Sequence, residues 1–129
     1  MEQYHYHFEK LNAWIEARKL VVMVYQLLKV FPVEERFALC DQIRRAVISV
    51  PSNIAEGTSR QSIKEKTHFI EIAYGSLMEV YCQLLLSVDL GYISSETFAP
   101  IRDHIFIVCK LLSGLRASYN KHSTIHLKQ

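Results

Sequence analysis

Apolar residues recur at intervals of three and four along almost the whole 129-residue chain, and only four glycines and three prolines interrupt them. That periodicity predicts an all-α protein. A first helix is expected over about residues 8–30, with Leu11, Trp14, Ile15, Val21, Val22, Tyr25 and Leu28 as its buried stripe. Pro32, which has no amide hydrogen and restricts the residue before it, stops simple continuation. The second helix is expected to open near Glu34, where two carboxylates suit a helix N-terminus, and to bury Phe37, Cys40, Ile43, Val47, Val50 and Ile54. It carries Pro51 inside it, which predicts a bend near Val47, and Gly57 is placed to stop it.

Ser62 and Glu65 have capping-box spacing at the start of a long third helix. Its stripe of Ile63, Ile70, Ala73, Leu77, Val80, Tyr81, Leu84 and Val88 keeps phase until Gly91. Ser94 or Ser95 then caps a fourth helix, in which Phe98, Ile101, Ile105, Val108, Leu112, Leu115 and Tyr119 alternate steps of three and four. Short connections force neighbouring helices to run antiparallel, so the expected fold is an up-down four-helix bundle with helix two kinked at Pro51. Residues 1–129 make one domain, its core spanning about 8–120 and its ends loosely held.

Helix four has more apolar residues than one core can bury, with Phe106, Ile107, Cys109 and Leu111 outside the seam. A band this wide predicts subunit contacts, because soluble monomers seldom expose large apolar patches.

Charge adds little as a sum: 15 Lys and Arg against 13 Asp and Glu. Its distribution is more informative. After Asp103 no acid follows, while Lys110, Arg116, Lys121 and Lys128 do. Between Arg36 and Lys66 stand Arg36, Arg44, Arg45, Arg60, Lys64 and Lys66 against Asp41, Glu56 and Glu65. An oligomer multiplies such an excess, and phosphate binding depends steeply on summed charge. The alternative for Arg44 or Arg45 is a structural ion pair with Glu56 or a helix terminus.

Other chemistry is sparse. The three cysteines, Cys40, Cys82 and Cys109, lie far apart in apolar runs, which predicts reduced thiols. The start MEQYHYHFEK lacks a signal-peptide core, so a cytoplasmic location is expected, and uncharged runs such as residues 20–28 and 46–55 are shorter than the roughly 20 residues of a membrane span. His5 with His7, His122 with His126, and Glu65 with His68 are the only hints of metal spacing, and none brings a third rigid ligand. No nucleophile motif or glycine-rich phosphate loop is present, and Glu56 near Asn53 lacks any partner that would build an active site. No enzymatic activity and no cofactor are expected.

The run FPVEERFALCDQIRRAVISVPSNIAEGTSR, followed by KEKTHFIEIAYGSLMEV, resembles the four-helix-bundle family encoded in intervening sequences of bacterial 23S ribosomal RNA genes. The likeness spans about residues 11–119. It is carried by Phe31, Pro32, Glu35, Arg36, Gln42, Arg44, Arg45, Ala46, Ser49, Pro51, Asn53, Ile54, Ala55, Glu56, Gly57, Arg60, Ala73, Gly75, Ser76 and Glu79. The resemblance implies four antiparallel helices and a ring-like homo-oligomer, a pentamer in the first instance. It also implies kinship with accessory proteins of diversity-generating retroelements, in which a basic bundle engages a reverse transcriptase and nucleic acid.

The combined expectation is a non-enzymatic oligomer that binds structured RNA through Arg36, Arg44, Arg45, Arg60 and Lys64, with Lys110 and Arg116 secondary. Pro51, Asn53, Glu56 and Gly57 are expected to form a structural joint. The alternative is a protein-interaction scaffold whose arginines are structural.

Overall fold

The computed structural model describes residues 3–128, with side chains described through Lys121. Four helices follow in order: α1 (Asn12–Leu28), α2 (Leu39–Thr58), α3 (Ile63–Asp89) and α4 (Ser95–Lys128). Short 3-10 turns at His7–Lys10 and Val33–Glu35 precede α1 and α2, and no strand occurs among the described residues. Packing pairs α1 with α2 and α4, and α3 with α2 and α4, so α1 and α3 occupy diagonal corners. This is the antiparallel four-helix bundle that the apolar periodicity predicts. Each helix lends a fully buried chain to one core, for example Leu20, Ile43, Leu77 and Leu112. Truncating any of them to alanine costs roughly 2–5 kcal/mol, because the lost burial is compounded by a cavity.

The stripes of α3 and α4 fall where their spacing places them. Ile70, Ala73, Leu77, Val80 and Leu84 are buried on α3, and Phe98, Ile101, Ile105, Val108 and Leu112 on α4. The stripe of α1 is rotated from the expected one. Ala13, Ala17, Leu20, Val24 and Leu27 face the core, whereas Val22 is 59% and Tyr25 36% exposed. Two alanines let α1 lie close to its neighbours; of the expected stripe Leu28 is buried, and Leu11, Trp14 and Val21 pack against the edge of the core.

The start of α2 also differs. Val33–Glu35 form a separate 3-10 turn and the helix opens at Leu39, which leaves Phe37 83% exposed rather than in the core. Glu35 sets this corner. Its Oε2 accepts the Leu39 amide at 3.2 Å, serving a helix-start donor that Ala38 cannot cap. The helix then runs unbroken through Pro51 to Thr58.

Gly57 is not the stop it was expected to be. It is buried inside the last turn, and a Cβ there would lie 3.0 Å from Phe69 Cβ and 3.3 Å from the Lys66 carbonyl oxygen. Its role is to let α2 and α3 touch. Ser62 caps α3 by accepting the Glu65 amide at 3.1 Å, and Ser94 caps α4 by accepting the Thr97 amide at 3.0 Å. Gly91 ends α3 with φ +79°, and the bonds Gly91 N–H to Val88 and Tyr92 N–H to Ser87 complete a Schellman turn. Helix α4 extends to Lys128.

By length and composition α3 is apolar enough to cross a membrane, with a window of mean hydropathy 1.3, although each uncharged run is short. Only 33% of that window is buried in the bundle, so much of its apolar surface faces outward.

Candidate functional site

The basic residues separate into groups along the bundle. At the α1–α2 corner an open groove of about 400 Å³ is lined by Tyr25, Lys29, Phe31, Arg36, Cys40 and Arg44, among others. Arg44 is the most constrained of its cations. Its Nη1 and Nη2 donate to the Arg36 carbonyl oxygen at 3.3 and 3.4 Å, and Nη1 lies 3.6 Å from Asp41 Oδ1. With only 28% of its side chain exposed, Arg44 is held in place while its guanidinium edges the groove. Arg36 is exposed and lies over the Phe37 ring at 5.7 Å. Arg45, 82% exposed, reaches Asp41 at 3.5 Å and gains little from so solvated a pair.

The C-terminal end of α2, Thr58, lies about 21 Å from Arg44 at 1.5 Å per residue, and Arg60 and Lys64 stand just beyond it, Lys64 in the first turn of α3. No single phosphate meets both groups. Arg60 pairs with Glu56 one turn earlier and covers the Phe69 ring at 4.9 Å. Lys64 is exposed on the rim of a shallow groove with Thr67, His68 and Glu71. Lys66 donates to the Thr58 carbonyl at 3.2 Å and lies over Tyr119 at 5.7 Å. It therefore ties the C-terminus of α2 to α4, where a cation suits the helix dipole. On α4, Lys110 sits over Phe106 at 5.4 Å and Arg116 pairs with Glu71 of α3 at 3.3 Å.

The expected joint is held by hydrogen bonds within and across helices. Asn53 Nδ2 donates to the Ser49 carbonyl and to Ser49 Oγ, both at 2.8 Å, and Ser49 Oγ meets Ser76 Oγ of α3 at 2.8 Å. Since Ser49 Oγ accepts from Asn53, its own hydrogen is free to bridge the helices. Farther along the same seam, buried Gln83 donates to Gln42 at 3.2 Å and to Glu79 at 3.3 Å. Asn53 and Glu56 thus answer to different partners, Ser49 and Arg60.

Among the described residues no three His, Cys, Asp or Glu side chains gather as metal ligands. His5 instead lies 3.5 Å from Glu9, and the side chains of His122 and His126 lie outside the described residues. All three cysteines are free thiols. Burial pushes the Cys40 thiol above its ordinary range, against the opposing pull of Arg44.

Lys29 was not among the sequence candidates, although a lysine just after α1 and before Pro32 is a helix C-terminal cation. A second surface is apolar and includes Phe106 and Cys109 of the wide α4 band expected from the sequence. Tyr74, Met78, Tyr81, Phe106 and Cys109 line a groove of about 430 Å³ between α3 and α4, together with Arg102, Asp103 and Ile105. Phe106 is 62% exposed there, and Cys109 Sγ approaches the Tyr74 hydroxyl at 3.4 Å.

Comparison with solved structures finds a crystal structure of a protein of unknown function from the S23 ribosomal protein family of Bacteroides thetaiotaomicron VPI-5482. It is 25% identical, superimposes with a TM-score of 0.74, and is covered over 97% of its length by 81% of this chain. No protein of curated function matches. The family described as 23S rRNA-intervening sequence protein matches residues 9–114, which include all four helix starts and the whole α1–α2 corner. By that match the chain belongs to the 23S rRNA-intervening sequence protein family.

Proposed function

We propose that the protein is a non-enzymatic, self-associating four-helix bundle that holds structured RNA by its phosphates. The observation that carries this reading is the convergence of Lys29, Arg36 and Arg44 on one open groove at the α1–α2 corner. Arg44 is oriented beforehand by the Arg36 carbonyl and Asp41, so binding a phosphate costs little further ordering. Arg45 and, at the far end of α2, Arg60 and Lys64 extend the basic track. Such a surface reads backbone shape more than base sequence. Self-association multiplies the phosphate contacts per assembly, which compensates for a net charge of only +2 per chain. The family's descriptive link to 23S rRNA intervening sequences agrees with an RNA partner.

The test is gel retention of a hairpin RNA by the wild type and by Lys29→Ala with Arg36→Ala. The double variant is expected to bind more weakly at every sequence tried and to lose about 1 unit of salt slope per removed cation. Equal retention by both proteins would count against the groove.

A second reading, an interaction scaffold for a partner protein such as a reverse transcriptase, draws on the α3–α4 groove. In that reading Arg44, Arg60 and Arg116 serve the bundle through Asp41, Glu56 and Glu71. Retention of RNA unaffected by loss of Lys29 and Arg36 would favour it.

A further inference from the structure

A ladder of aromatic rings leads from the N-terminal arm onto α1. Tyr6 has extended backbone, and on such a chain alternate side chains stand on one side about 6.6 Å apart. Tyr4 meets Tyr6 edge to face at 4.8 Å, Tyr6 and Phe8 lie nearly parallel at 6.5 Å, and Phe8 meets Trp14 of α1 at 5.0 Å. The inner two rings anchor the arm, since Phe8 is half-buried and Trp14 packs against the core. The outer two stand in solvent, Tyr4 75% and Tyr6 62% exposed. At 6.5 Å the Tyr6 and Phe8 rings cover little of each other, which leaves aromatic face open. The charge around the ladder is basic. Arg18 lies over the Trp14 ring at 5.3 Å, and Lys10 is exposed in the turn before α1. Among the described residues of the arm the one acid is Glu9, whose Oε2 accepts the Tyr6 amide at 2.7 Å and whose Oε1 lies 3.5 Å from His5 Nδ1. The next acid, Glu16, is held by Lys19 at 3.3 Å and by His104 of α4 at 3.4 Å. The turn that carries Phe8 also packs on α2, whose C-terminal end lies beside the start of α1 in an antiparallel pair. The ladder therefore stands at the end of the bundle that carries Arg60 and Lys64.

We propose that this arm is a stacking site for unpaired RNA bases: Tyr4 and Tyr6 offer their ring faces, and Lys10 and Arg18 meet the neighbouring phosphates. It rests on the RNA reading above but not on the groove, since the arm and Lys29 lie at opposite ends of α1. The chemistry selects a nucleic acid strand, which alternates flat π surfaces with anions just as the arm sets open rings beside cations. An apolar protein segment would cover the rings and leave Lys10 and Arg18 unmatched. Stacking accepts any base, because every base has a π face. The site thereby adds what the groove does not supply. The groove holds the backbone of folded RNA, whereas the arm takes bases splayed out of a loop or a strand end. Tyrosine suits the position, because its ring gives a large rigid contact with few torsions to order while its hydroxyl stays in water.

Fluorescence anisotropy on the full chain tests the site with two labelled probes, an oligouridylate of roughly ten nucleotides and an abasic strand of the same length and charge. The wild type is expected to bind the oligouridylate more tightly than the abasic strand. Tyr4→Ala with Tyr6→Ala, at exposed positions outside the core, is expected to weaken the oligouridylate about 10-fold or more and to leave the abasic strand unchanged. Tyr4→Phe with Tyr6→Phe keeps the ring faces and is expected to bind as the wild type does. Arg18→Ala is expected to weaken both strands. Equal affinity for the two strands, or an oligouridylate affinity unchanged in the double alanine variant, overturns the site. So does a double alanine variant whose mass by light scattering falls while its strand affinity holds, which would make the arm a protein contact. Failure on these strands with the hairpin still held through Lys29 and Arg36 removes the arm and leaves the groove. Failure on strands and hairpin alike removes the RNA reading as well.

Discussion

Tyr92, in the α3–α4 turn, donates its hydroxyl to Glu35 Oε1 at 3.1 Å, while the other oxygen of that carboxylate accepts the Leu39 amide that opens α2. One side chain thereby positions the α1–α2 corner against the α3–α4 turn, and the Phe31 and Tyr92 rings pack 5.7 Å apart beside it. The basic groove is built on this corner, so its geometry depends on a contact between residues far apart in the chain.

Burial first, and the Glu35 carboxylate second, hold the Tyr92 hydroxyl above the ordinary tyrosine range. The folded chain therefore keeps this proton after the unfolded chain has lost it. Stability from the group is complete below about pH 10, the unfolded value, and is lost as pH rises through the higher folded value. Urea midpoints at pH 7, 10 and 11 are expected to fall with pH for the wild type. Tyr92→Phe should start lower at pH 7 and decline less steeply, with Tyr74 and Tyr119, also raised, supplying the remaining slope. Parallel declines would remove Tyr92 from the account.

Glycines at two helix positions should respond in opposite directions. An alanine at Gly114 meets nothing within 4 Å, so Gly114→Ala is expected to stabilise by roughly 0.5–1 kcal/mol through backbone entropy alone. Gly57→Ala gains the same entropy but drives its methyl against Phe69 Cβ and a backbone oxygen, neither of which swings away. It should destabilise by about 1 kcal/mol or more after that offset. Thermal melts of the two variants check the signs.

Thiol reactivity should follow burial. Alkylation proceeds through the thiolate, so exposed Cys82 should react with iodoacetamide first, Cys109 more slowly and buried Cys40 last. Peptide mass spectrometry on dilute native protein reads the order, and denaturant should erase it. Labelling of Cys40 as fast as Cys82 in the native state would contradict the packing of α2.

How far the sequence could be read depended on residue size and distance. The α3 and α4 stripes were readable because large apolar residues, such as Leu77 and Ile105, occupy nearly every core position. Helix α1 defeated the same reading because its core contacts begin with Ala13 and Ala17, while bulkier Val22 and Tyr25 point outward. Gly57 looked like a terminator because its partner, Phe69, lies on the next helix, where periodicity carries no information. The basic cluster was visible as composition, but its division between the two ends of α2 is a property of the fold. Lys29 joined Arg36 and Arg44 only once the corner had closed.

The central claim is that the basic surface neutralises RNA phosphates, and salt dependence tests it most directly. Filter-binding titrations of a structured RNA across a salt series should show log affinity falling linearly with log salt, with a slope of about −0.7 to −0.9 per phosphate contact. Affinity independent of salt, or no retention of RNA at low salt, would contradict it.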